Sequence, residues 1–181
     1  MFVIHLQPKE NIMNRRNILS ISAITALGLA MVPGSTVAQQ KSLKEQLVGT
    51  WTPVSITTKR PDGSLQWGSN PKGIAIFTDN GRFSESVMRS DRTKFAANSR
   101  LQGTPDDNKA TTQGTIVTYG TYSVDEAKKT YTLRIEGSSY PNFEGIEITR
   151  PVMITGDEMT ATNPSPSSGG PPSQAVWRRA K

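Results

Sequence analysis

Between Gly49 and Arg179 apolar residues recur at every second position in short runs, and turn residues separate the runs. Thr130–Glu136 is the clearest case, with Tyr131, Leu133 and Ile135 alternating with Thr132, Arg134 and Glu136. Period-two alternation predicts an antiparallel strand with one face buried. Arg82–Met88 behaves alike, with Phe83, Glu85 and Val87 on one face and Arg82, Ser84 and Ser86 on the other. Asp79-Asn80-Gly81, just before it, is a strong short hairpin signal that ties this strand to Gly73–Thr78. The same reasoning predicts strands over Gly49–Thr58, from near Thr115 through Val124, over Ile146–Ile154, Glu158–Thr162 and Gln174–Arg179.

Two stretches depart from this rhythm. Ser42–Val48 predicts a short helical segment, capped by Ser42, with Leu43 and Leu47 on one face. Ser90–Gly114 is polar, and Thr104 followed by Pro105-Asp106-Asp107 predicts a helix start inside it. An insertion that long is either a lid over an opening or a helical plug closing one end. The fold class is therefore all-β: eight antiparallel strands, a short N-terminal helical turn and one helical insertion between strands 3 and 4. Sequential strands with short turns favour an up-and-down barrel, because closure removes exposed edges. A two-sheet sandwich is the rival arrangement.

Residues 1–38 read as something other than fold. From Met13 the chain carries Arg15-Arg16, an apolar run over Ile18–Val32 and small residues up to Ala38, the pattern of an export signal. The arginine pair followed by Asn17-Ile18-Leu19 fits the twin-arginine type. Met13 is the expected start, and cleavage after Ala38 leaves Gln39–Lys181 as one periplasmic or secreted domain with no stable membrane span. The alternative is a retained anchor.

Composition narrows the chemistry. Removing 1–38 takes away Lys9, Arg15, Arg16 and Glu10, so the formal net charge falls from +6 to about +4. The remaining charges are interspersed, which argues against a nucleic-acid partner. Cysteine is absent, and the one histidine, His5, lies in the signal region. The mature domain therefore has no disulfide, no thiolate or imidazole catalyst and no Cys/His zinc site, and no metal or cofactor is expected.

Leu47-Val48-Gly49-Thr50-Trp51 resembles the Gly-x-Trp opening of lipocalin-like domains, in which a helical turn leads into the first strand. Asn70-Pro71-Lys72-Gly73-Ile74, Tyr119-Gly120-Thr121-Tyr122-Ser123-Val124-Asp125 and Val176-Trp177-Arg178-Arg179 resemble, in order, a bacterial and fungal family of small lipocalin-like proteins. The likeness spans Leu47 to Arg179. It implies a calycin-type barrel with an internal pocket, and a basic residue, Arg178 or Arg179, covering Trp51 to close one end. Trp51, Arg178 and Arg179 are accordingly structural. The resemblance brings no particular ligand with it.

The candidate ligand-lining residues are Ile76, Phe83, Val87, Tyr122, Leu133 and Ile135 from the apolar faces, with Ile74 and Met159 as further core positions. Small residues at Ala75, Gly120 and Ala161 suggest room left inside. Glu85 shares the Phe83/Val87 face; pointing into an apolar barrel it would have a raised pKa and serve as an acid or base, unless a bulge turns it outward. Arg89 is placed to meet an anionic head group at the barrel mouth, or to pair with Asp91 at the surface. Tyr119 and Tyr140 offer phenols to a ligand. The expected function is monomeric binding of a small apolar or amphipathic molecule. The alternatives are a cofactor-free isomerase or cyclase and a structural barrel with a filled core.

Overall fold

The computed structural model describes residues 41–181; the export segment read from the sequence lies outside them. Eight antiparallel strands close into a barrel in sequence order: β1 (Gly49–Ile56), β2 (Lys72–Phe77), β3 (Arg82–Met88), β4 (Thr115–Asp125), β5 (Thr130–Ser138), β6 (Glu147–Thr155), β7 (Glu158–Asn163) and β8 (Ser173–Arg179), with β8 pairing back onto β1. Closure settles the choice against a sandwich. Among the described residues two α-helices accompany the strands, α1 (Leu43–Leu47) and α2 (Pro105–Gln113). No described helix is long and apolar enough to cross a membrane.

The two ends of the barrel differ in kind. Tight turns join β2 to β3, β4 to β5 and β6 to β7 at one end, where Gly81 and Gly156 take positive φ. The four longer connections, 57–71, 89–114, 139–146 and 164–172, all lie at the other end. The tight-turn end is sealed by α1. Ser42 and Glu45 form a reciprocal capping box, and Glu126 of the β4–β5 turn accepts from the backbone N–H of Leu43 and Lys44 at 2.9 and 3.0 Å. Leu43 and Leu47 are thereby pressed onto the core. The Trp51 indole N–H donates to Leu47 O at 2.9 Å.

Arg179, opposite Trp51 in the β1–β8 register, completes that seal. Its guanidinium carbon sits 4.2 Å from the Trp51 ring centroid, while Nη1 and Nη2 donate to Val48 O and Gln46 O at 3.0 and 2.7 Å. Gly49 is required beneath it on two counts: its φ is +134°, and a Cβ would stand 2.7 Å from Arg179 Nη1. Arg178 pairs with Thr52 on the outer surface instead, so of the two arginines only Arg179 covers Trp51.

Above this seal the barrel is packed with large side chains: Phe77, Phe83, Tyr122, Tyr131, Leu133, Met159 and Trp177 are buried. Phe77 meets Tyr122 and Tyr131 edge-on, with centroids 5.2 and 5.5 Å apart. The expected inward orientation of Ile76 and Ile74 is corrected here. The Asn80-Gly81 hairpin pairs Phe77 with Phe83, Ala75 with Glu85 and Ile76 with Ser84. Directly opposite residues share a face, so Ala75 and Phe77 point in; Ile76 points out, 36% exposed.

Tyr119 is corrected in the same way. It is 48% exposed, and its ring lies outside against Gly137, where a Cβ would meet the ring at 2.5 Å. The strand pair shifts register between Tyr119 and Gly120, which lets the tyrosine cover that glycine.

Replacing Arg179 by alanine removes a cation–π contact and two charge-assisted bonds, so it should lower stability by about 2 kcal/mol. Arg178→Ala should stay within about 0.5 kcal/mol of wild type. Urea denaturation midpoints of the two variants check the contrast.

Candidate functional site

Inside the open end, β3 and β6 place two charges in the barrel. Glu85 falls between Phe83 and Val87 on the inward face of β3. Arg150 falls between Ile148 and Val152 on the inward face of β6. Each residue is 8% exposed, and Arg150 Nη1 donates to Glu85 Oε2 at 2.9 Å. The expectation of a carboxylate against an apolar wall is thus corrected: Glu85 points inward, but it meets a guanidinium. Sequence reasoning missed Arg150, although the same two-residue parity that located Glu85 also covers Ile148, Arg150 and Val152.

The pair is not fully satisfied. A guanidinium carries five N–H donors. Among the described residues the one partner that accepts from Arg150 is Glu85, and Arg150 Nε is buried without a hydrogen bond. Tyr131, opposite Arg150 in the β5–β6 register, has a buried hydroxyl that is likewise unpartnered. Burial works against the charge on Arg150, yet the Glu85 carboxylate beside it outweighs that cost and holds the guanidinium more firmly protonated than an exposed arginine. Burial also pushes the Tyr131 phenol up, against a smaller opposing pull from Arg150.

Glu85 and Arg150 line a chamber of about 50 Å³, with Val87, Ile116, Thr118, Ile135, Phe143 and Trp177 among its other walls. Thr118 stands directly across from Glu85 in the β3–β4 register. On the far wall Thr58 and Ser173 are buried and joined by a hydroxyl–hydroxyl bond of 2.8 Å. Space of this size holds a few waters or a small chemical group, not a whole ligand.

Above the chamber lies a vestibule of about 330 Å³ to which all four long connections contribute: Arg60 and Gln66, Thr112 and Gln113, Ser139 and Tyr140, Ser167 and Ser168. Trp67, Ile116 and Ser167 line both spaces, so they form the partition between them. Trp67 is buried although it comes from a Gly- and Ser-rich loop. Its signal in the sequence was a lone tryptophan in an otherwise polar segment.

The helix of the β3–β4 insertion buries none of its residues, so it is not a plug. It carries a second capping box between Thr104 and Asp107 and offers Thr112 and Gln113 to the rim. Arg89 is corrected as a free anion contact at the mouth. It is held by Asp91 through Nε at 2.8 Å and by the carbonyls of Leu65 and Gln66 at 3.0 and 3.1 Å. Its role is to pin the β1–β2 loop.

Of the remaining candidates, Val87 and Ile135 line the chamber. Phe83, Tyr122 and Leu133 point inward but belong to the packed end, where the Tyr122 hydroxyl donates to Thr78 O at 2.7 Å. The Tyr122 phenol is pushed up by burial and, less, by Asp79. Tyr140 stands at the vestibule, edge-on to Phe143 at 5.1 Å. The small inward residues Ala75, Gly120 and Ala161 are taken up by close packing and do not line the chamber.

Arg150→Met would strand the Glu85 carboxylate in the interior and should cost about 3–5 kcal/mol. The double variant Glu85→Leu/Arg150→Met should recover most of that loss, because matched apolar residues need no partner. Urea midpoints of the single and double variants measure the coupling; equal destabilisation of both would show that the two charges do not act as a unit.

Comparison with known families agrees with this architecture: a family model described as a lipocalin-like domain matches residues 48–180. No curated protein matches the chain. Among solved structures, a lipocalin-like protein from Bacteroides uniformis ATCC 8492 is similar at 15% identity, over 75% of this chain and 99% of that one, with a TM-score of 0.40. A single-substitution mutant of the fluorescent protein UnaG is similar at 14% identity, over 75% and 97% of the two chains, with a TM-score of 0.35.

Proposed function

We propose that this chain, which belongs to the lipocalin-like domain family, binds a small apolar or amphipathic molecule through the open end of its barrel. The observation that carries the reading is the buried Glu85–Arg150 pair facing a chamber that adjoins the vestibule. A barrel built only for stability gains little from an interior ion pair, since apolar residues of similar volume do as well or better. Buried donors left without partners fit a polar ligand group that arrives from outside. The vestibule has the volume of small-ligand sites and mixed walls, with Trp67, Ile116 and Tyr140 for the body of the molecule.

The chain is proposed to act as a monomer outside the cytoplasm. Closure leaves no unpaired strand edge to drive association. The export pattern before Gln39 supports the location. Expression in its bacterial host should yield a periplasmic or secreted form beginning near Gln39, and Arg15→Lys/Arg16→Lys should retain the precursor inside if export uses the twin-arginine route. N-terminal mass analysis of each fraction reads both outcomes.

Ligand binding is tested by native mass spectrometry of the protein purified from its own host, with neutral aminonaphthalene probes added to the stripped protein. A bound small molecule, or saturable quenching of tryptophan emission at one site per chain, is the expected result. A clean mass together with no uptake of any probe would leave the barrel as a structural domain.

A further inference from the structure

The inner chamber is polar but already charge-balanced. Arg150 Nη1 is taken by Glu85 at 2.9 Å, both residues are nine-tenths buried, and the other polar walls, Thr58, Thr118, Asn163, Ser167 and Ser173, are uncharged. A carboxylate entering this space would place a second anion beside Glu85, in an interior where charges are poorly screened. It would also have to leave water to do so. A neutral acceptor meets neither difficulty. It needs only a donor, and the Arg150 guanidinium has donors in excess of its single protein partner. The chamber, at about 50 Å³, admits one small end group while the rest of the molecule occupies the vestibule of about 330 Å³ beyond Trp67 and Ile116.

We propose that the ligand enters with a neutral carbonyl end, of a ketone, amide or lactone, that accepts from Arg150, and that Glu85 makes the site reject carboxylates. This rests on the binding function proposed above and names the chemical class it selects. Arg60 is the cation at the vestibule, yet it stands outside the partition and donates to Gln66 Oε1 at 3.3 Å, so it does not alter the charge balance within.

The test uses two probes that share a dimethylamino-naphthalene body, one ending in a propionyl ketone and the other in a carboxylate. Fluorescence titration of the mature protein at neutral pH should show the ketone binding at least tenfold more tightly, equivalent to about 1.4 kcal/mol. Glu85→Gln keeps the shape of the side chain but frees the charge of Arg150, and it should reverse the order in favour of the carboxylate.

If that variant fails to fold, the wild-type preference and the loss of ketone binding in the apolar pair Glu85→Leu/Arg150→Met decide between them. Equal or tighter binding of the carboxylate by wild type overturns the selectivity while leaving the binding function standing. An unchanged order of preference in folded Glu85→Gln also overturns it. Failure of both probes to bind, with no other molecule taken up, would remove the binding function itself.

Discussion

The ion pair between Glu85 and Arg150 is the constraint around which this barrel is organised. Two charges at 8% exposure are tolerable only while they face each other. The parity of β3 and β6 meets that requirement, and the strand registers carry the same inward face across to β2, β4 and β5. Ala75 opposite Glu85 and Thr118 on its other side are small enough to leave the carboxylate room to reach across. The pair also divides the interior. Below it lie the aromatic residues of the packed end, with Tyr131 directly beside Arg150. Above it the walls are mixed and the chain opens.

The division of labour between the ends follows from loop length. Tight turns and α1 close one end with Trp51, Arg179 and Gly49 in mutual contact, and little there can move without exposing the tryptophan. Four longer connections surround the other end, and long connections are where a stable scaffold carries variable, functional residues. Arg89 is instructive because its charge serves the scaffold: bonds to Asp91 and to two carbonyls of the β1–β2 loop hold Trp67 near the mouth. The rim is thus built, and Trp67 is a wall of both the chamber and the vestibule.

Much of this was legible in the residues. Alternation in Thr130–Glu136 and Arg82–Met88, the Asn80-Gly81 hairpin and the Gly49-Thr50-Trp51 opening carry enough information to place the strands and to set Glu85 on the Phe83/Val87 face, though not to exclude a bulge that turns it outward. What failed was parity in a run that is apolar on both faces. In Gly73-Ile74-Ala75-Ile76-Phe77 both isoleucines were assigned to the core alongside Ala75, whereas pairing across the hairpin puts Ala75 and Phe77 inside and the isoleucines outside. Tyr119 was legible by the same parity, since unbroken alternation from Tyr122 through Gly120 to Thr118 puts it outside. Arg150 was legible in principle, since its apolar neighbours two residues away mark it as inward. Trp67 and the vestibule depend on how four loops meet, which no local pattern encodes.

Whether the interior pair anchors a ligand is read by arginine side-chain NMR during a titration with the neutral aminonaphthalene ketone. The Arg150 Nε–H resonance, unpartnered in the free barrel, should shift saturably together with the Trp67 indole signal as the ketone fills chamber and vestibule. A Trp67 signal that moves while Arg150 stays fixed would place the molecule at the mouth only, and the interior pair would not be the ligand's anchor.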